Sequence, residues 1–293
     1  MLLTIFTPTY NRGYILRALF ESLCSQTYFD FEWLIVDDGS TDDTEELISE
    51  LQSLPSNFEV RYYKQLNGGK HRAINSGLRL AKGELFYIVD SDDRLTPDAV
   101  SWIKQAYASI KNDDRFAGLS GIRIYPNGRK IGGGEDFGSI DASAMEIREK
   151  YGIEGDQAEV FKTEILRKYP FPEFEGEKFC PEALVWFRIA QNYMLRYYHK
   201  AIYICDYLPD GLTAKIANLR HQSPLASLTY YSELFGYEDT CHLKMRAAIN
   251  YWRFMKCRLL SETHKMHMLN IYSAIACPLG LAAKINDFVH HRC

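Results

Sequence analysis

The stretch Glu84-Leu-Phe-Tyr-Ile-Val-Asp90-Ser-Asp92-Asp93-Arg94-Leu-Thr-Pro97-Asp98 decides how the rest of the chain is read. Five apolar residues, Leu85 to Val89, run without alternation into three carboxylates within four positions, and a proline opens a new helical pattern just beyond. An unbroken apolar run suits a strand covered on both faces, as in a parallel sheet, and ligands of open parallel sheets bind at the carboxyl ends of the strands. Carboxylates crowded at such an edge repel one another, which a bound cation would relieve. The same residues also fit a solvated acidic turn capping the helix at Pro97. Spacing alone leaves both readings open.

The residues upstream repeat the pattern. Leu2 to Thr7 reads as a buried strand, Pro8-Thr-Tyr-Asn-Arg-Gly13 as the loop after it, and Tyr14 to Ser25 as a helix with Ile15, Leu16, Leu19 and Leu23 on one face. Phe31 to Val36 is a second strand ended by Asp37-Asp38-Gly39-Ser40, and Asp42 with Glu45 resembles a helix cap. Phe58 to Lys64 is a third strand, followed by Asn67-Gly68-Gly69 and a helix from Lys70 to Ala81. Strands alternating with helices predict an α/β fold with a doubly wound, mostly parallel sheet. Right-handed crossovers put the loops after strands one, two and four on one edge, so Thr9, Asp38 and Asp92 converge there.

Downstream, Pro97 to Ile110 reads as a helix, Phe116 to Tyr125 as a strand turned by Pro126-Asn127-Gly128, Ala183 to Tyr193 as a helix and Met194 to Ile204 as a last strand. Leu208 to Thr213 reads as a turn, and from Pro224 the pattern is helical, interrupted near Gly236 and at Pro278. The organisation expected is residues 1–215 as the sheet domain, in two halves (1–110 and 111–215) that the resemblance described below marks as nucleotide-sugar-binding and acceptor halves, then a helical region over 216–293. Within that region Ala248, Trp252, Met255 and Leu259 form one apolar stripe flanked by Arg246, Arg253 and Lys256. Such a helix either packs on its own domain or lies on an anionic membrane surface.

Composition narrows the classes. The formal net charge of -4 combines 9 Lys+Arg against 5 Asp+Glu in residues 216–293 with 25 against 33 in residues 1–215. The acidic part excludes a nucleic-acid surface over that portion. Seven cysteines without a CxxC pair indicate neither a zinc knuckle nor a disulfide framework, which points to a reducing compartment. The chain opens directly into Leu2-Leu-Thr-Ile-Phe6, and Ser273 to Ala283 is too short to span a bilayer, so a cytoplasmic location is expected.

Thr7-Pro-Thr-Tyr-Asn11, Ser25-Gln-Thr27, Phe31-Glu-Trp-Leu-Ile-Val-Asp37-Asp38-Gly39-Ser40-Thr-Asp42, Asn75-Ser-Gly77, Gly83-Glu84 and Asp90-Ser-Asp92-Asp93 with Pro97-Asp98, in this order and spacing, resemble family 2 glycosyltransferases of the GT-A fold. The resemblance is strongest in the first third and thins after Tyr125. It implies a nucleotide-diphosphate sugar donor, often a uridine diphosphate sugar, a divalent Mg2+ or Mn2+ ion, and a glycan or lipid-linked oligosaccharide as acceptor. By the same resemblance Pro8, Thr9 and Tyr10 form the wall around the base, Asp38 recognises it and Asp37 supports Asp38. Asp90, Ser91 and Asp92 match the DxD pattern that addresses ribose and metal, with Asp93 as an alternative metal ligand, and Lys70 or Arg72 would meet the diphosphate.

The family's catalytic acid commonly comes from a Glu-Asp pair opening a helix on the acceptor side. Pro181-Glu182 stands there instead, so Glu182 is the expected base, with Glu177 as the competitor. Asp210-Gly211 and His221 are further candidates for acceptor-side or pyrophosphate contacts, without an assigned role. The expected activity is an inverting, metal-dependent sugar transfer, with peripheral contact at the inner membrane face suggested by the basic tail. A nucleotidyltransferase, which would need a Gly- and Arg-rich phosphate loop after the first strand, and a non-catalytic nucleotide-sugar-binding protein are the alternatives.

Overall fold

A computed structural model describes residues 1–205, 215–238, 240–255 and 271–290. The elements run β1 (Leu3–Thr9), α1 (Leu16–Cys24), β2 (Phe31–Asp37), α2 (Thr44–Ser53), β3 (Glu59–Lys64), α3 (Lys70–Leu80), β4 (Leu85–Ile88), β5 (Arg94–Leu95) and α4 (Ala99–Ala108). They continue as β6 (Phe116–Ile124), β7 (Ser139–Ala142), α5 (Glu146–Glu149), β8 (Gln157–Lys162), α6 (Thr163–Arg167), α7 (Glu182–Ala190) and β9 (Met194–Ile204). The described C-terminal helices are α8 (Ile216–Gln222), α9 (Pro224–Tyr237), α10 (Cys241–Phe254) and α11 (Ile271–His290). Two compact units result: residues 1–170 with 186–208, and residues 171–185 with 209–293.

The first unit is built on one sheet of order β3-β2-β1-β4-β8-β6-β9-β5, with β7 paired to β9. β1 lies between β2 and β4, parallel to both, and every residue of β1 and β2 is buried. This is the burial that unbroken apolar runs demand. Of the two acids in these buried runs, Asp37 ends β2 and Glu32 is compensated at the edge remote from the Asp-rich loop. Its carboxylate accepts from the Thr4 hydroxyl at 2.7 Å, Arg61 at 2.6 Å and the Lys82 N–H at 2.7 Å.

α3 rests on the sheet through Ala73, Ile74, Gly77 and Leu78, a spacing that keeps one helical face inward. Gly77 allows the approach, because a Cβ there would stand 2.2 Å from the Phe6 ring. The ring of Phe6 in turn stacks on Phe86, with centroids 5.0 Å apart.

The structure departs from the sequence reading in four places. Arg94–Leu95 forms a short strand antiparallel to β9, a pairing too brief to leave a pattern in sequence. α7 stops at Ala190, where the Asn192 N–H turns back onto the Ile189 carbonyl. Asp42 is not the helix cap: one carboxylate oxygen accepts from Thr44 and the other from the Gly13 N–H, tying two loops together. Pro278 lies inside α11 without interrupting it. The carbonyl deprived of a partner by Pro278 belongs to exposed Ala274, where water can replace the lost bond.

In the second unit α9, α10 and α11 share a core of Leu228, Tyr231, Ala248, Tyr251, Phe254, Met255 and Ala276. α10 and α11 come close at Gly280, where a Cβ would lie 2.5 Å from the Ile249 carbonyl oxygen. Arg253, read from sequence as part of a basic flank, pairs with buried Asp287, which also meets the His221 imidazole at 2.8 Å. The stripe of α10 thus packs on its own unit through Ala248 and Met255. Leu259, Lys256 and the predicted turn at Leu208 to Thr213, with Asp210 and Gly211, lie outside the described residues.

Candidate functional site

The carboxyl ends of β1, β2 and β4 lie side by side, because the register pairs Thr9 with Asp37 and Phe6 with Ile88. The Asp38 N–H donates to the Thr9 carbonyl at 2.8 Å and the Val89 N–H to the Phe6 carbonyl at 2.8 Å, carrying the parallel pairing into the loops. Thr9, Asp37, Asp38 and the Asp90 to Asp93 loop therefore come together on one edge, as the crossover argument requires. Pro8 is buried inside β1, and Tyr10 is the exposed residue of that segment. The Thr9 hydroxyl is buried and has no hydrogen-bond partner, an orphan polar atom at the edge of the site.

The two acids that end β2 are both occupied. Asp37 accepts from the Ser40 N–H at 2.7 Å and from the Tyr62 hydroxyl at 2.8 Å. Asp38 accepts from Gln65 Nε2 at 2.8 Å, Asn67 Nδ2 at 3.2 Å, the Gly68 N–H at 2.9 Å and the Gly69 N–H at 2.6 Å. Two donors on each oxygen fill the acceptor capacity of a carboxylate. Asp38 consequently shapes the Asn67-Gly68-Gly69 turn from which α3 starts, a structural duty the sequence reading did not foresee. Gly69 adopts φ 97°, which favours glycine, and a Cβ on Gly68 would stand 2.4 Å from Arg72 Cδ.

Lys70, the first residue of α3, reaches the Asp-rich loop and pairs with Asp90 at 2.6 Å. Burial works against the charge on Asp90, but the Lys70 ammonium outweighs it and holds the carboxyl below its ordinary pKa. Ser91 is buried beside it. The two following acids differ. Burial, and then the Asp90 charge, push Asp92 above the ordinary range. The same two causes lift Asp93 to about 7 against the opposing hydrogen bond from Tyr203.

Tyr203 is a residue that sequence reasoning missed. Its hydroxyl accepts from the Asp90 N–H at 3.0 Å and donates to Asp93 Oδ2 at 2.6 Å. The ring is fully buried, edge-on to Tyr87, with the Arg123 guanidinium 4.4 Å from its centroid. In sequence Tyr203 is one of three tyrosines in a strand that also carries Arg196, His199 and Lys200, and nothing local connects it to a loop 110 residues earlier.

The residues present fit a divalent cation bound together with an anionic ligand. Asp92 is half-buried, makes no side-chain hydrogen bond to another described residue, and carries an ionisation cost that a cation would relieve. Among the described residues no three His, Cys, Asp or Glu side chains converge into a preformed cage. A hard cation that keeps waters and takes oxygens from a diphosphate needs only one or two carboxylates.

Of the expected acceptor-side acids, Glu182 is the first residue of α7 and is half-buried. Glu177 is buried, and its two oxygens accept from the Leu225 N–H at 2.7 Å and the Ala226 N–H at 2.9 Å, at the start of α9. The Phe179 N–H donates to Ser223 Oγ at 3.1 Å beside it. Both acids belong to the second unit.

The family model described as Glycosyl transferase family 2 matches residues 4–169. Over 99 residues the chain is 40% identical to the chondroitin synthase of Pasteurella multocida, covering 34% of this chain and 10% of that protein. It thus spans about a tenth of that relative's length. It is 27% identical over 289 residues to the GalNAc(5)-diNAcBac-PP-undecaprenol beta-1,3-glucosyltransferase of Campylobacter jejuni, covering 90% of this chain and 89% of that one. Among solved structures, S. aureus TarS in complex with UDP-GlcNAc superposes with a TM-score of 0.61 at 18% identity, over 97% of this chain and 81% of that one. The mannosyltransferase PcManGT of Pyrobaculum calidifontis, in complex with GDP-Man and Mn2+, gives a TM-score of 0.56 at 17% identity, over 96% and 73%. At such identity these likenesses speak to the fold, which is GT-A. With the family model matching more than half of the chain, this protein belongs to glycosyl transferase family 2.

Proposed function

We propose that the chain transfers a sugar from a nucleotide-diphosphate donor, a uridine diphosphate sugar by preference, to a hydroxyl of a glycan or lipid-linked oligosaccharide, with inversion at the sugar carbon. The observation that carries this reading is the single sheet edge holding the orphan Thr9 hydroxyl, the Lys70 ammonium on Asp90, and the uncommitted carboxylate of Asp92. Those groups suit a ligand with a polar nucleoside and a diphosphate. The undecaprenol in the name of the Campylobacter jejuni relative supports a lipid-linked acceptor.

In this reading Pro8, Thr9 and Tyr10 line the base, with Asp37 and Asp38 holding the adjoining loop, and Asp90 and Ser91 meet the ribose. Lys70 and Arg72 face the diphosphate, and Asp92, with Asp93 behind it, would hold Mg2+ or Mn2+. That cation supplies positive charge against the negative charge developing on the leaving diphosphate. Glu182 takes the proton of the acceptor hydroxyl as its oxygen forms the new bond to the sugar C1 and the C1 to diphosphate bond breaks. Glu177, with both oxygens on backbone N–H groups, suits an anchor better than a base.

Thermal unfolding against a panel of nucleotide sugars, with and without Mn2+, tests the reading. A shift that needs both donor and metal is the expected result, and no shift with any donor would sink it.

A further inference from the structure

The outer face of α11 is unlike any other surface of the described residues. Ile275, Leu279, Leu281, Ile285, Phe288 and Val289 are each between 46% and 65% exposed. Large apolar side chains scattered singly on a surface are ordinary, but six on one 20-residue helix form a continuous stripe. The helix is turned inside out relative to a water-facing helix, which shows polar groups to solvent. Its two charged residues point inward: Asp287 is buried against Arg253 and His221, and Lys284 Nζ donates to the Met255 carbonyl at 2.6 Å. Gly280 and Ala276 make the close contact with the rest of the unit, so this packing leaves the apolar stripe outward.

We infer that this face lies in the interfacial layer of an anionic lipid bilayer. Charge decides for lipid over a protein partner. Helices α8 to α11 carry Arg220, Lys244, Arg246, Arg253 and Lys284 against Glu233 and Asp287, and setting aside the Arg253–Asp287 pair leaves four basic residues against one acid. α10 contains no acid at all, and its His242 and Arg246 are exposed. Protein interfaces surround an apolar centre with a polar rim of both signs, whereas an in-plane helix joins an apolar face to basic neighbours. No described helix is long and apolar enough to cross a membrane, so the contact is one that lies on the surface. Of the two readings the sequence offered for the α10 stripe, packing on its own unit is the one found, and α11 carries the free face. The inference deepens the proposed function and rests on it for its purpose, since a lipid-linked acceptor is presented at such a surface.

The test is co-sedimentation of the full chain with phosphatidylglycerol-rich and with phosphatidylcholine vesicles, at low and high salt. The chain is expected to bind the anionic vesicles, more weakly but still measurably at high salt. Ile285→Glu combined with Phe288→Glu should lower the bound fraction about tenfold or more. Leu279→Gln, at another exposed position, should lower it by a smaller factor, and circular dichroism should show all variants folded. Absence of vesicle binding, or equal binding by folded variants, overturns the inference. So does a concentration-dependent dimer that these substitutions dissociate, since the face would then be a contact between copies. Donor titration without vesicles separates the two readings: a chain that binds donor but ignores vesicles loses only this inference, and one that binds vesicles through this face but no donor keeps it and loses the proposed function.

Discussion

The hydroxyl of Tyr203 donates to Asp93 at 2.6 Å, joining the last long strand of the sheet to the acidic loop that follows β4. The same oxygen accepts the Asp90 N–H, so one buried side chain fixes the loop at both ends. Asp93 is thereby drawn inward and Asp92 is left as the carboxylate without a side-chain hydrogen bond to another described residue. Tyr203→Phe keeps the ring against Tyr87 and removes both bonds. It should cost about 1–2 kcal/mol of stability and weaken Mn2+-dependent donor binding several-fold, read by calorimetric titration. Unchanged affinity would mean that the loop holds its shape without the tether.

Asp93 also predicts how the metal-free protein responds to pH. The unfolded chain ionises this carboxyl near 4, the folded chain at about 7. Between those values the folded state binds the extra proton, so the group's contribution to stability is complete below about pH 4 and is lost progressively as pH rises to about 7. In the presence of a chelator, Asp93→Asn should melt several degrees higher than the wild type at pH 8, and the gap should close towards pH 4. A gap that stays constant across this range would contradict the assignment.

Asp38 acts on the donor through the turn before α3 if its four hydrogen bonds describe its work. Asp38→Ala should then lower affinity for a nucleoside diphosphate much more than for the nucleoside, and cost roughly 2–4 kcal/mol from the unpaired donors it leaves. Equal losses for nucleoside and diphosphate would restore Asp38 to direct base recognition.

Glu177 and Glu182 are separable. Glu177→Gln keeps the shape but places an NH2 group against a backbone N–H, so it should lower the melting temperature while leaving the pH dependence of transfer unchanged. Glu182→Gln should leave donor binding and stability near wild type and lower transfer about a hundredfold or more. If Glu177→Gln alone abolishes transfer in a protein of normal stability, the roles are exchanged.

The first four strands, their order along the chain and the edge where the acids gather were legible in the sequence, whereas Arg94–Leu95, Ser139–Ala142 and Gln157–Lys162 were not. Leu3 to Thr9, Phe31 to Asp37 and Leu85 to Ile88 are local apolar runs, and parallel crossovers have one favoured hand. Strand Met194–Ile204 was legible from its richness in aromatic and β-branched residues, despite Arg196, His199 and Lys200 within it. The division of labour among the acids was not. Asp38 and Asp92 are both aspartates at strand ends, yet one accepts four hydrogen bonds and the other accepts none from another described residue. That difference is set by Gln65, Asn67, Gly68 and Gly69 meeting Asp38 across a neighbouring strand, and by Tyr203 arriving from 110 residues away to claim Asp93. The exposed stripe of α11 was hidden similarly, because a helix with apolar residues on nearly every side does not reveal which side its neighbours will cover. Periodicity and turn chemistry are local and can be read along the chain. Hydrogen-bond partners and buried faces depend on which distant segments meet, and only the tertiary structure decides that.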